Sequence, residues 1–132
     1  MKEALVEQKI LLIDDDEATR ILINEILNDS NIYVIETGCG KEGLNLFKKH
    51  SEEIDLVLMD IKLPDCMGWD LVRQFRTANM DVPIVALSAI NKNELKEKAE
   101  IFGFSSYLSK PFDIEDLERI VRFYLTHQTK TV

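Results

Sequence analysis

The chain has 132 residues, 45% of them apolar and 30% charged, and a formal net charge of −8. That length suits one domain rather than two and lets roughly two-thirds of the unfolded surface be buried without covalent staples. The acid excess argues against nucleic acid or an anionic membrane as a direct partner. The two cysteines, Cys39 and Cys66, form no CxxC pair and read as free thiols of a reducing cytoplasm.

In chain order, residues 1–8 are a polar lead-in with no apolar core of signal-peptide length. Ile10 to Ile13 is an unbroken apolar run that ends on Asp14-Asp15-Asp16 and reads as a buried strand. Ile21, Leu22 and Ile26 then recur at helical spacing, with a stop near Asn28-Asp29-Ser30. Ile32 to Ile35 is a short strand expected near a sheet edge. Gly38 turns the chain into a helix whose apolar stripe is Leu44, Leu46 and Phe47. Leu56-Val57-Leu58-Met59 runs straight into Asp60, so this central strand places a carboxylate at its carboxyl end.

Gly68 marks a turn or close approach ahead of a helix on Leu71, Val72 and Phe75. Pro83 introduces the strand Ile84 to Leu87, and Ser88 follows it. Asn91 and Glu94 have the spacing of a capping box for a helix on Leu95, Ala99 and Phe102, with Gly103 as its stop. Ser106-Tyr107-Leu108 is a last short strand. Lys110-Pro111-Phe112 then turns toward a helix capped by Asp113 and built on Ile114, Leu117, Ile120, Val121 and Tyr124. No apolar run approaches the ~18 residues of a membrane span. His50 and His127 have no ligand-spaced partner and are read as isolated surface residues.

Five alternations of strand and helix predict an α/β fold with a parallel sheet and helices on both faces. The domain is expected over residues 9–125, with a polar tail at 126–132. A flavodoxin-like strand order, 2-1-3-4-5, puts strands one, three, four and five side by side, with the switch point between one and three. Asp14, Asp15, Asp60, Ser88 and Lys110 then converge on one sheet edge. Carboxylates packed together repel, and a divalent cation offsets that cost. A small set of oxygen ligands favours Mg²⁺, which also grips phosphate oxygens. With Lys110 beside it, such a site suits phosphoryl transfer, and a carboxylate can hold phosphorus as an acyl phosphate.

The acidic pair Asp14-Asp15, Asp60 followed by Leu63-Pro64 and Gly68, Ser88-Ala89 and Lys110-Pro111-Phe112 together resemble the receiver domain of two-component response regulators, over about residues 9–125. The resemblance implies that Asp60 accepts a phosphoryl group and that Asp14, Asp15, Asp60 and the Lys62 main-chain carbonyl ligate Mg²⁺. It implies that Ser88 is a switch hydroxyl, Lys110 pairs with phosphate, and Tyr107 turns inward on activation. A cis bond between Lys110 and Pro111 is also implied.

The donor would be a sensor histidine kinase or a histidine phosphotransfer domain. The output face would be the fourth helix, fifth strand and fifth helix, around Lys92, Lys96, Tyr107, Arg119 and Arg122, where a homodimer could also form. Such a chain is a cytoplasmic signalling domain rather than an enzyme. No effector domain follows Leu125, so DNA binding by this chain is not expected.

Two features depart from the family pattern. Met67 stands where an acidic residue often precedes the loop glycine. Lys62 and Ile90 would obstruct water and slow loss of the phosphoryl group. A haloacid-dehalogenase-type phosphatase is the enzymatic rival, but Ala18 stands where its motif needs threonine. A phosphorylation-incompetent interaction module is the other rival, and the intact set of five polar residues argues against it. No GxxxxGK or GxGxxG loop is present for a nucleotide.

Overall fold

The computed structural model describes residues 7–29 and 31–126. Residues 1–6 of the expected lead-in, Ser30, and residues 127–132 of the expected tail, His127 among them, lie outside the described residues. Ten elements alternate: β1 (Gln8–Ile13), α1 (Glu17–Ile26), β2 (Ile32–Thr37), α2 (Gly40–Lys49), β3 (Ile54–Asp60), α3 (Gly68–Ala78), β4 (Ile84–Ser88), α4 (Lys92–Phe102), β5 (Ser106–Ser109) and α5 (Ile114–Thr126). The strands form one parallel sheet in the order β2-β1-β3-β4-β5. This is the order expected from the sequence.

Strand alternation sorts the core into two layers. Leu11, Ile13, Val57 and Met59 face Phe47 of α2, Phe75 of α3 and Leu95 of α4. Ile10, Leu12, Leu56 and Leu58 face Ile23 of α1 and Leu117, Val121 and Leu125 of α5. With helices on both sides, β3 is buried along its whole length. Phe47 and Phe75 stack with centroids 4.5 Å apart, and burying such a side chain stabilises the fold by roughly 1.5–3 kcal/mol.

Helix α1 buries a different row than expected, and α5 departs at one residue. On α1, Ile21 and Leu22 are exposed, and Ile23 with Leu27 fills the core. Apolar residues at 21, 22, 23, 26 and 27 wrap much of that helix, and only the i, i+4 row at 23 and 27 is buried against the sheet. On α5 the expected Leu117 and Val121 are buried together with Leu125, Ile120 and Tyr124 pack partly buried against the same layer, and Ile114 alone of the expected stripe is exposed.

The helix ends follow local chemistry. The Asn91 side chain accepts from the backbone N–H groups of Asn93 and Glu94. Glu94 pairs with Lys98 at 2.7 Å rather than completing the box. Gly103 closes α4 with φ +109°, a conformation that suits glycine. The main-chain carbonyl of Asp113 accepts from Asp116 and Leu117 to start α5. His50 is not isolated: its Nδ1 lies 3.1 Å from Glu53 Oε2, three residues on. No helix among the described residues is long and apolar enough to cross a membrane.

Candidate functional site

The parallel ladders extend one step past the strands, and that step fixes the polar groups. Asp14, just beyond β1, donates its N–H to Thr37 O at 3.0 Å. Asp60 is the last residue of β3, and the next N–H, that of Ile61, reaches Leu87 O at 3.1 Å. Ser88 ends β4, and its carbonyl accepts from the Lys110 N–H at 2.7 Å, just after β5. Gly68 lets α3 press onto the end of β3: a Cβ there would meet Asp60 O at 2.8 Å and Ile61 Cα at 2.9 Å.

Carboxylate oxygens of Asp14, Asp15 and Asp60 lie within 4.8 Å of one another. Asp14 is fully buried and Asp60 nearly so, whereas Asp15 is exposed. Lys110 Nζ bridges two of them, at 2.7 Å from Asp14 Oδ2 and 3.0 Å from Asp60 Oδ2. The acids are therefore partly neutralised within the protein, a pairing across 96 residues of sequence that the motif did not specify. Asp14 Oδ1 accepts from the Asp16 N–H at 2.9 Å, and Asp60 Oδ1 from the Lys62 N–H at 3.2 Å.

Burial pushes the Asp60 carboxyl above its ordinary pKa. The Lys110 hydrogen bond pulls it back, and the charge of Asp14 adds to the rise. Burial works against the Lys110 charge, but the hydrogen bonds to Asp14 and Asp60 outweigh it and hold the ammonium above its usual range.

A cavity of about 320 Å³ opens beside this cluster, lined by Asp15, Asp60, Lys62, Ser88, Ile90 and Lys110 among others. Ser88 is buried, with Oγ accepting from the Ile90 N–H at 3.1 Å. The peptide bond between Lys110 and Pro111 is cis. Tyr107 is not brought to the carboxylates. It is half-buried against the α2–α3–α4 layer and lines a separate cavity of about 400 Å³ with Lys92, Ser109 and Arg119. Arg122 lines a groove near Gln8 and Leu125.

Several supporting residues carried no legible signal in the sequence. Arg20 Nη1 donates to Asp14 O at 2.6 Å while its Nε holds Glu36 at 3.2 Å, steadying the loop after β1 from α1. Asp65, in the loop after β3, caps a different helix. It accepts from the N–H groups of Gly40 and Lys41 at the start of α2, both at 2.8 Å, and these bonds hold its carboxyl down at about 2. The Cys39 thiol shares that carboxylate at 3.2 Å. Such long-range caps join residues that no local pattern relates.

Three clustered carboxylates with no nitrogen or sulfur donor form a hard, oxygen-only set, which fits a small divalent cation. With Lys110 and an open cavity beside it, the site can bind a multiply charged oxyanion and present a carboxylate oxygen to it.

Comparison with known proteins gives a consistent picture. The sequence profile described as the response regulator receiver domain matches residues 10–122. Sporulation initiation phosphotransferase F of Bacillus subtilis is 27% identical over 121 residues, which cover 92% of this chain and 96% of that protein. The cell cycle transcriptional regulator CtrA of Caulobacter vibrioides is 36% identical over 109 residues, 83% of this chain and 46% of that protein, so the chain spans about half the length of that relative.

Among solved structures, a two-component response regulator from Clostridium difficile superposes with a TM-score of 0.82 at 28% identity, covering 94% of this chain and 100% of that one. The receiver domain of a sensor histidine kinase from Pseudomonas aeruginosa, with a magnesium ion coordinated in its active-site cleft, superposes with a TM-score of 0.80 at 28% identity, covering 92% and 99%.

Proposed function

Because the chain belongs to the response regulator receiver family, we propose that Asp60 accepts a phosphoryl group from a phosphohistidine on a sensor histidine kinase or a histidine phosphotransfer domain. The observation that carries this reading is the cluster of Asp14, Asp15 and Asp60 carboxylates around one lysine, open to a cavity at the carboxyl edge of the sheet. Asp14, Asp15 and Asp60, with the Lys62 main-chain carbonyl, would hold Mg²⁺, which when bound neutralises both the acids and the incoming phosphoryl oxygens.

An Asp60 carboxylate oxygen attacks phosphorus, and the P–N bond to the donor imidazole breaks, leaving its electron pair on nitrogen. Lys110 moves with the charge: its ammonium, held by two carboxylates before the reaction, also pairs with the phosphoryl oxygens after it. The Ser88 hydroxyl donates to one of those oxygens. Lys62 and Ile90 line the approach to the cavity and slow attack by water on the acyl phosphate.

The group added to Asp60 carries up to two negative charges and three acceptor oxygens. It favours the arrangement in which Ser88 and Tyr107 turn toward the site, and so shifts the surface of α4, β5 and α5. Lys92, Tyr107 and Arg119 line one cavity on that surface, which serves an output partner or a second copy of the chain. The chain is consumed as phosphoryl substrate in each event and is a signalling domain, not an enzyme. We assign it to the cytoplasm, where its two free thiols remain reduced. We give it no direct nucleic-acid partner, consistent with its net charge of −8. We place the domain at residues 9–125, within the span from the start of β1 to the end of α5.

Incubation with acetyl phosphate and Mg²⁺ should add about 80 Da to the intact protein, the mass of one phosphoryl group. The gain should vanish in Asp60→Asn and on chelation of the metal. An equal gain by Asp60→Asn, or none by the parent, contradicts the proposal.

A further inference from the structure

The chain has two cysteines, and the fold brings both to one carboxylate. The Cys39 S–H donates to Asp65 Oδ2 at 3.2 Å, and Cys66 Sγ lies 3.9 Å from Asp65 Oδ1. Cys66 Sγ also fills the space that a Cβ on Gly40 would occupy, so it packs on the backbone of the residue next to Cys39. The two sulfurs are thus separated by no more than one carboxylate and its two contacts. Both cysteines are half-buried, so neither is sealed from a small molecule.

The backbone holds each cysteine in place. Cys39 O accepts from the Gly43 N–H at 3.0 Å, and the Cys39 N–H donates to Thr37 Oγ1 at 3.3 Å. Cys66 O accepts from the Leu63 N–H at 3.2 Å, inside a turn closed by the Lys62–Met67 bridge. The side chains are therefore the adjustable parts. Burial pushes the Cys66 thiol up, and the charge of Asp65 adds to the rise. Cys66 is accordingly the poorer first nucleophile of the two, because the thiolate is the reactive form.

We propose that Cys39 and Cys66 form a reversible disulfide site that reacts with small-molecule disulfides and, when closed, ties the start of α2 to the loop that carries Lys62. This inference goes beyond the phosphoacceptor reading and does not rest on it. Cys39 gives its proton to water, and its sulfur attacks one sulfur of glutathione disulfide. The S–S bond of that molecule breaks, and one glutathione leaves with the electron pair and takes up a proton. Cys66 then gives up its proton and attacks Cys39 Sγ, releasing the second glutathione. The protein loses two electrons and two protons, and one disulfide becomes two thiols. Neither sulfur keeps a proton, so Asp65 loses both thiols as donors and retains the Gly40 and Lys41 N–H groups. A reducing cytoplasm keeps the pair open, and a rise in small-molecule disulfide closes it.

The test is equilibration of the full chain with mixtures of reduced and oxidised glutathione, followed by acid quenching, maleimide blocking and intact-mass measurement. The native protein should lose the mass of two hydrogens and take up no maleimide. Its digest should contain one peptide pair linked through Cys39 and Cys66. A disulfide forms without strain only at particular backbone spacings, so the equilibrium constant reports how well the fold sets the pair. It should be at least about tenfold larger in the native protein than in concentrated urea. Cys66→Ser should stop at a mixed disulfide with glutathione on Cys39.

Maleimide on both cysteines, mixed disulfides without a Cys39–Cys66 link, or a linked dimer alone would overturn the inference. So would an equilibrium constant no larger in the native protein than in urea. None of these results bears on the role of Asp60.

Discussion

The two halves of the sheet edge that carries the site are built differently. On the β1–β3 side, the buried carboxylates are held by several partners: Asp14 by Lys110 and the Asp16 N–H, Asp60 by Lys110 and the Lys62 N–H. Arg20 and Asp65 pin the surrounding loops through bonds that cross from one element to another. On the β4–β5 side, Ser88 Oγ has one bond and Tyr107 is only half-buried. One half is preorganised for charge, as electrostatic catalysis requires. The other is left under-paired, so a new charge on Asp60 offers it contacts it lacks.

Removing the lysine should disturb the tight half most. Lys110→Met leaves Asp14 and Asp60 facing each other without a counter-charge, which is expected to lower stability by about 2 kcal/mol at pH 7, discounted for the partial exposure of the ammonium. Urea denaturation measures this directly. Added Mg²⁺ should recover more stability in Lys110→Met than in the parent, because the variant has more uncompensated charge. A variant as stable as the parent, with no larger response to Mg²⁺, would remove the contrast between the halves.

A smaller effect belongs to Asp65. Its carboxyl titrates at about 2, below the ordinary carboxylate value, because the Lys41 and Gly40 N–H groups bind the ionised form. A depressed folded-state value means that the carboxylate stabilises the fold above the unfolded value, about 4. That contribution fades as pH falls toward about 2. Asp65→Ala should therefore lower stability by about 1 kcal/mol at neutral pH, with the gap to the parent narrowing between about pH 4 and about pH 2. A gap that does not depend on pH would assign the loss to packing instead. Smallest of all, Lys62→Ala combined with Ile90→Ala should speed loss of the phosphoryl group about threefold, as less obstructed water attack on an acyl phosphate would. Phosphate release no faster than in the parent would refute the obstruction.

The sheet order and the position of Asp60 were legible because, in an alternating α/β chain, an unbroken apolar run that stops on a carboxylate is a doubly covered strand delivering its acid to the sheet edge. The convergence of Asp14, Asp15, Asp60, Ser88 and Lys110 on one edge followed once that order was assumed. The buried row of α1 was not legible. Ile21, Leu22, Ile23, Ile26 and Leu27 satisfy a helical period in more than one phase, and only packing against Ile10 and Leu12 selects 23 and 27. Lys110 reads as a phosphate partner from its motif, but its bridge between two acids depends on where three strands end. Asp65 has ordinary sequence surroundings, and its significance comes from a helix terminus 25 residues away.

Location of the modified atom tests the central claim most directly. Protein treated with acetyl phosphate and Mg²⁺ is reduced with borohydride, which converts an acyl phosphate to an alcohol, and its peptides are sequenced by mass spectrometry. Homoserine at position 60, and at no other aspartate, is the expected result. An unreduced Asp60, or homoserine in place of Asp14 or Asp15, would contradict it.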